Sequence, residues 1–129
     1  MKFARAVFIF EAIVLNAGTG LLCFFVPAQF ASFFSPTPVT GTALEFLRWY
    51  GVLLWVLAYA MLRVLPMNDN RVLRPLVEAL LFGDFAHLAA SALYFKAVSG
   101  LTIPSAIMMF FTVLLAIIRI NWLRLAKSE

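Results

Sequence analysis

Four long apolar stretches dominate the chain, at about 6–26, 43–65, 72–98 and 103–125. Each is close to the ~20 residues needed to cross the hydrocarbon core of a bilayer. Lipid offers no water to a bare N–H or C=O, so each stretch must satisfy its own backbone, and the helix does this within one segment. The pattern predicts an all-α integral membrane protein, a four-helix bundle forming a single domain over 1–129.

The breaks between stretches carry ordinary signals. Pro27 stops the first stretch, Pro66 the second and Ser99-Gly100 the third, while Pro104 opens the fourth. Pro75 falls in or near the first turn of the third helix, where a missing N–H does little harm. Ser35-Pro36-Thr37-Pro38 and Gly41-Thr42 precede helix two, with Thr42 the expected N-cap. Pro66-Met67-Asn68-Asp69-Asn70 reads as a tight polar turn. Residues 28–34 contain Phe30, Phe33 and Phe34 and no charge, which suits a short interfacial helix or a lid on the bilayer better than an aqueous loop. Lys2 and Arg5 precede the first stretch as in a signal peptide. The apolar run continues to Val26, however, beyond the about 7–15 residues of an h-region, so a retained helix is expected.

Composition agrees. Hydrophobic residues make up 64% of the chain and charged residues 12%, against about 25% charged in soluble domains. A soluble core this small could not hide that much apolar surface. The net charge is +4, but the basic residues sit at helix ends, so no nucleic-acid partner is expected. Lys2, Arg5, Arg63, Arg71, Arg74, Arg119, Arg124 and Lys127 fall on one side of four spans, and Lys96 and Arg48 on the other. That bias predicts both termini in the cytoplasm, with the protein in the endoplasmic reticulum or a bacterial inner membrane. Most of these side chains are expected to snorkel to headgroups. The single cysteine, Cys23, permits no disulfide within the chain and no CxxC motif, and reads as a small packing residue.

The carboxylates carry the most information. Glu11, Glu45, Glu78 and Asp84 fall within apolar stretches. A charge at the bilayer centre costs at least ~2.5–3.5 kcal/mol, so such residues usually face inward and serve a function. Residue counting at 1.5 Å per residue puts Glu11 and Glu78 at similar depth, Asn16, Asp84 and His87 near the middle, and Glu45 and Arg48 near the outer face. Asp84, His87, Ser91 and Tyr94 form one stripe on helix three. Asn16, Thr19, Gly20 and Cys23 form a small, polar face on helix one suited to close contact. A central polar pocket between helices one and three is the inference.

Each group also has a purely structural reading. Glu45–Arg48 and Arg74–Glu78 can be neutralising pairs, Asn16 and Ser91 can simply join helices, and Trp55 and Tyr59 can pack or line a pocket for a flat lipophilic molecule. Trp49, Tyr50 and Trp122 suit an aromatic belt. A neutral carboxylic acid in low dielectric can protonate an apolar substrate, and a nearby histidine can hold or return the proton. On that reading Asp84, His87, Glu11 and Glu78 are catalytic, and Asn16, Tyr59, Trp55, Glu45, Arg48, Ser91 and Tyr94 bind substrate. No GxGxxG, P-loop, HExxH or GxSxG motif is present, and no metal or cofactor is expected. The residue types for a His-plus-carboxylate metal site are His87 and Asp84 with Glu11 or Glu78.

The layout resembles small four-helix membrane proteins of the EXPERA and DoxX-like kind. It has an apolar first helix, a proline-bearing loop, Glu45-Phe-Leu-Arg48-Trp49-Tyr50 opening the second helix, and Glu78 to His87 in the third. It is also similar to fungal membrane-bound terpene cyclases, which place acids among helices to protonate a lipophilic substrate. The resemblance implies a four-helix membrane fold and acid–base chemistry, and transfers no residue's role. The expected function is therefore a small membrane enzyme that isomerises, cyclises or opens an epoxide of a lipophilic small molecule. A non-catalytic binding or assembly subunit, and a proton-coupled transporter with Glu11 as exchange group, are the alternatives. Membrane lipids are expected partners. Four short helices enclose little volume, which makes a homodimer a natural form.

Overall fold

The computed structural model describes residues 2–35, 37–67, 69–98 and 102–126. Every regular element among them is helical. Four segments, Phe3–Phe25, Thr42–Met67, Asn70–Ala97 and Ile103–Leu125, are long and apolar enough to cross a membrane. The expected stop at Ser99-Gly100, together with Pro36, Asn68 and Lys127, lies outside the described residues. The chain divides into two compact units, Lys2–Met67 and Asn68–Glu129.

The first unit is a helical hairpin. Its first span runs through α1 (Lys2–Phe10), a π-helical segment (Glu11–Gly18) and α2 (Thr19–Phe25). Val26 leaves helical geometry (φ −132°, ψ 51°), and Pro27 then starts a short helix, α3 (Pro27–Ser32), from its first position. Residues 28–34, whose three phenylalanines suggested an interfacial helix, are thus helical as far as Ser32, and the rings of Phe30 and Phe34 lie 5.1 Å apart at a tilt of 53°. The second span is α4 (Thr42–Val64), ending in a 3-10 turn, Leu65–Met67, around Pro66. Thr42 is not the N-cap. Gly41 holds that place at φ 59°, a left-handed conformation that a side chain disfavours. Phe8, Ala12, Asn16, Gly20 and Cys23 are buried on the first span, and Gly51, Leu54, Ala58 and Met61 on α4. Both sets recur three to four residues apart, as a helix facing a helix requires.

The second unit is the hairpin α5 (Asn70–Val98) and α6 (Ile103–Leu125), which pack along one another. Helix α5 begins earlier than Pro75 suggested, because the Asp69 carboxylate accepts the Arg71 backbone N–H at 2.8 Å. Pro75 therefore lies past the first turn, where it cannot donate to the Arg71 carbonyl. Helix α6 starts at Ile103, capped by Thr102, whose hydroxyl accepts from Ser105 N at 3.3 Å.

Candidate functional site

In the second hairpin, Leu73, Val77, Leu80 and Asp84 are buried on α5, and Thr112, Leu115, Ala116, Arg119 and Trp122 on α6. The short connection makes the helices antiparallel, and their register brings Asp84 opposite Arg119. The Arg119 guanidinium donates to the Asp84 carboxylate. The pair is enclosed, with the Arg119 side chain 1% and the Asp84 side chain 11% exposed. Removing either charge from water alone costs several kcal/mol, which mutual neutralisation offsets.

This corrects the reading of Arg119 as a headgroup-directed residue. It also revises depth. Arg119 stands about 24 Å along α6 from Ile103 and about 9 Å from Leu125, at 1.5 Å per residue. Asp84 is about 21 Å from Asn70 by the same rise. Beyond the ion pair, α5 thus runs about 12 Å further than α6 on that side. Counting along α5 alone puts Asp84 at mid-span, whereas its register with α6 puts it nearer the C-terminal end of that helix. Trp122, expected in an aromatic belt, is instead buried one turn from Arg119.

His87 follows Asp84 by one turn. It is half-buried and within electrostatic reach of the carboxylate. Ser91 is half-buried, and Tyr94 is exposed with its ring edge against Phe95. The stripe predicted on α5 is therefore enclosed at Asp84 and opens toward Tyr94.

Glu78 does not share the burial of Asp84. It accepts from Arg74 Nε at 2.9 Å, and the two side chains are 52% and 42% exposed. It lies level with the end of α6, where α5 begins to outrun its partner. Glu45 and Arg48 form a second half-exposed pair at the start of α4. Pairs this open contribute about 0–1 kcal/mol each, so their main effect is to neutralise charge.

In the first hairpin Glu11 and Asn16 are both buried, and the π segment holds them. Asn16 finds its partner in α4, where its amide donates to Met61 Sδ at 3.3 Å. Trp55 is committed to helix contact. Its indole N–H donates to the Ala17 carbonyl at 3.3 Å, and its ring lies 5.1 Å from that of Phe24. Tyr59, expected to orient substrate, is 68% exposed. Arg5 donates to the Leu65 carbonyl, placing a cation at the C-terminal end of α4, where the helix dipole favours it.

Among the described residues, no group of three or more His, Cys, Asp and Glu side chains comes together to hold a metal ion. No protein-family model, curated protein or solved structure matches the chain.

Sequence reasoning missed Arg119, Met61 and Gly51. A signal for Arg119 existed. Asp84 is fourteen residues before the end of α5 and Arg119 sixteen after the start of α6, so a short hairpin places them at the same level.

Proposed function

We propose that the chain is a small integral membrane protein, a four-helix bundle with both termini cytoplasmic, acting on a lipophilic small molecule by acid–base chemistry. The buried Asp84–Arg119 pair beside His87 carries this reading. A buried ion pair is often no more stabilising than the apolar residues that could replace it, and intramembrane charges tend to mark functional sites. The pairing reassigns roles. Asp84, accepting from Arg119, is an anchored acceptor, and His87 becomes the group that moves the proton. Ser91, one turn beyond His87, can orient the substrate. Glu78, paired with Arg74, leaves the catalytic set, and Glu45, paired with Arg48, leaves the substrate-binding set. The resemblance of the sequence layout to EXPERA and DoxX-like proteins and to membrane terpene cyclases is in keeping with such chemistry.

The test begins with protein purified in nanodiscs from its own membrane. Mass spectrometry is expected to find a co-purifying lipophilic small molecule. His87→Ala should lower its retention about tenfold, as loss of a hydrogen bond to a charged group does. Given the molecule back, Asp84→Asn should fail to convert it, and the double variant Asp84→Leu with Arg119→Met, which leaves no enclosed charge unpaired, should stay folded and fail likewise. A wild-type protein carrying only bulk lipid, or an Asp84→Asn variant with full turnover, would refute the proposal.

A non-catalytic assembly subunit is the second reading, favoured by the neutralised state of the Glu45–Arg48 and Arg74–Glu78 pairs. It predicts a stoichiometric protein partner on mild purification, where the enzyme reading predicts none. Orientation is checked separately. Reporters fused to either terminus should both be active in the cytoplasm, and opposite signals would contradict the N-in/C-in arrangement.

A further inference from the structure

Each residue of an α-helix turns the chain by about 100°, so Glu11 and Asn16 would point about 140° apart on one. By the same count Phe8 and Gly20, twelve residues apart, would differ by about 120°. All four are nevertheless buried. The π winding of Glu11–Gly18 brings them round to one side, because it spreads more residues over each turn than the α form does. The local sequence, EAIVLNAG, contains no proline that would force such a departure, and π-helix is rare in proteins at large. The end of the segment is instead held from α4, by the Trp55 indole on the Ala17 carbonyl and by Asn16 on Met61 Sδ.

We infer that Glu11–Gly18 is a twist hinge in the first span and that Trp55 is its latch. Releasing the latch lets the segment rewind as α-helix. That turns α1 by about a third of a turn relative to α2, carrying Glu11 from the buried side toward the exterior of the helix. The hinge therefore regulates access to Glu11, and it stands independently of the chemistry proposed for Asp84 and His87.

A lipophilic carbodiimide, which couples to carboxyl groups from the lipid side and leaves its full mass as an N-acylurea, reads this out. Modification of Glu11 is followed by mass spectrometry in nanodiscs, with exposed Glu45 as the internal reference. Trp55→Phe keeps a ring and removes the N–H. It is expected to speed Glu11 labelling about fivefold, the population change that loss of one neutral hydrogen bond gives. Deleting Val14, which is 47% exposed in the π segment, brings Phe8 and Gly20 from twelve to eleven residues apart. Eleven residues make about three α-helical turns, so a purely α-wound span then keeps both on one side. The deletion should return labelling in the Trp55→Phe background to the wild-type rate. Unchanged labelling in Trp55→Phe would overturn the inference. So would failure of the deletion to reverse it, which is what general unfolding of the span would give.

Discussion

Replacing Arg119 alone with methionine is expected to destabilise the protein more than removing both members of its ion pair. Arg119→Met leaves the Asp84 carboxylate enclosed without its guanidinium. Breaking a buried pair in this way costs about 3–5 kcal/mol, whereas replacing both partners by apolar residues of similar size is often neutral or stabilising. The double variant, Asp84→Leu with Arg119→Met, should therefore recover most of the loss. It would also lose whatever chemistry Asp84 supports. Reversible unfolding in mixed micelles measures all three proteins. If Arg119→Met is as stable as wild type, the guanidinium is not enclosed with Asp84 and the proposed site loses its anchor.

The second large effect is expected where the two helices of the first hairpin come closest. A Cβ placed on Gly51 would lie 2.7 Å from the Gly20 carbonyl oxygen and 3.1 Å from Cys23 Cβ. A Cβ placed on Gly20 would lie 2.7 Å from the Trp55 ring and 2.9 Å from the Gly51 carbonyl oxygen. Backbone cannot move aside as a flexible side chain can, so Gly51→Ala must separate the helices. The expected loss is about 1–3 kcal/mol, the range for overpacked sites. Gly20→Ala should cost a similar amount and also disturb the Trp55–Ala17 hydrogen bond. Gly83 on α5 provides the contrast, since nothing lies within 4 Å of its Cβ position. Gly83→Ala should be neutral or better, alanine being the stronger helix former. Equal stability for Gly51→Ala and Gly83→Ala would contradict the close approach.

These two sites differ in how far the sequence revealed them. The spans themselves were legible because their signal is additive. Some twenty apolar residues in a row have one economical form in lipid, and Ile103–Leu125 begins and ends where the pattern places it. Caps were less legible. Thr42 has the chemistry of an N-cap, but the positive φ of Gly41 depends on the path of the incoming chain. The small face of Asn16, Gly20 and Cys23 was readable as a contact surface from its spacing, though not the identity of the facing helix.

The ion pair was hidden for another reason. Arg119 lies near the end of an apolar stretch, where arginine usually snorkels, and only the register between α5 and α6 turns it inward. The exposure of Glu78 was hidden by the same missing register, since nothing in α5 alone tells that it lies level with the end of α6, although its pairing with Arg74 could be read from their spacing. The π segment left no compositional trace, and the hydrogen bonds that tie it to Trp55 and Met61 involve a different helix.

The Asp84–Arg119 contact is the claim on which the functional account rests, and it can be measured without knowing a substrate. The chain has two aspartates, Asp69 and Asp84, so aspartate-selective labelling gives an assignable carboxyl signal. Solid-state NMR in lipid bilayers, recoupling the Asp84 carboxyl carbon to arginine side-chain nitrogens, should show strong dephasing at the under-4 Å separation of an ion pair. Arg119→Lys should abolish that dephasing. A wild-type Asp84 carboxyl that shows no coupling to arginine nitrogen would contradict the account.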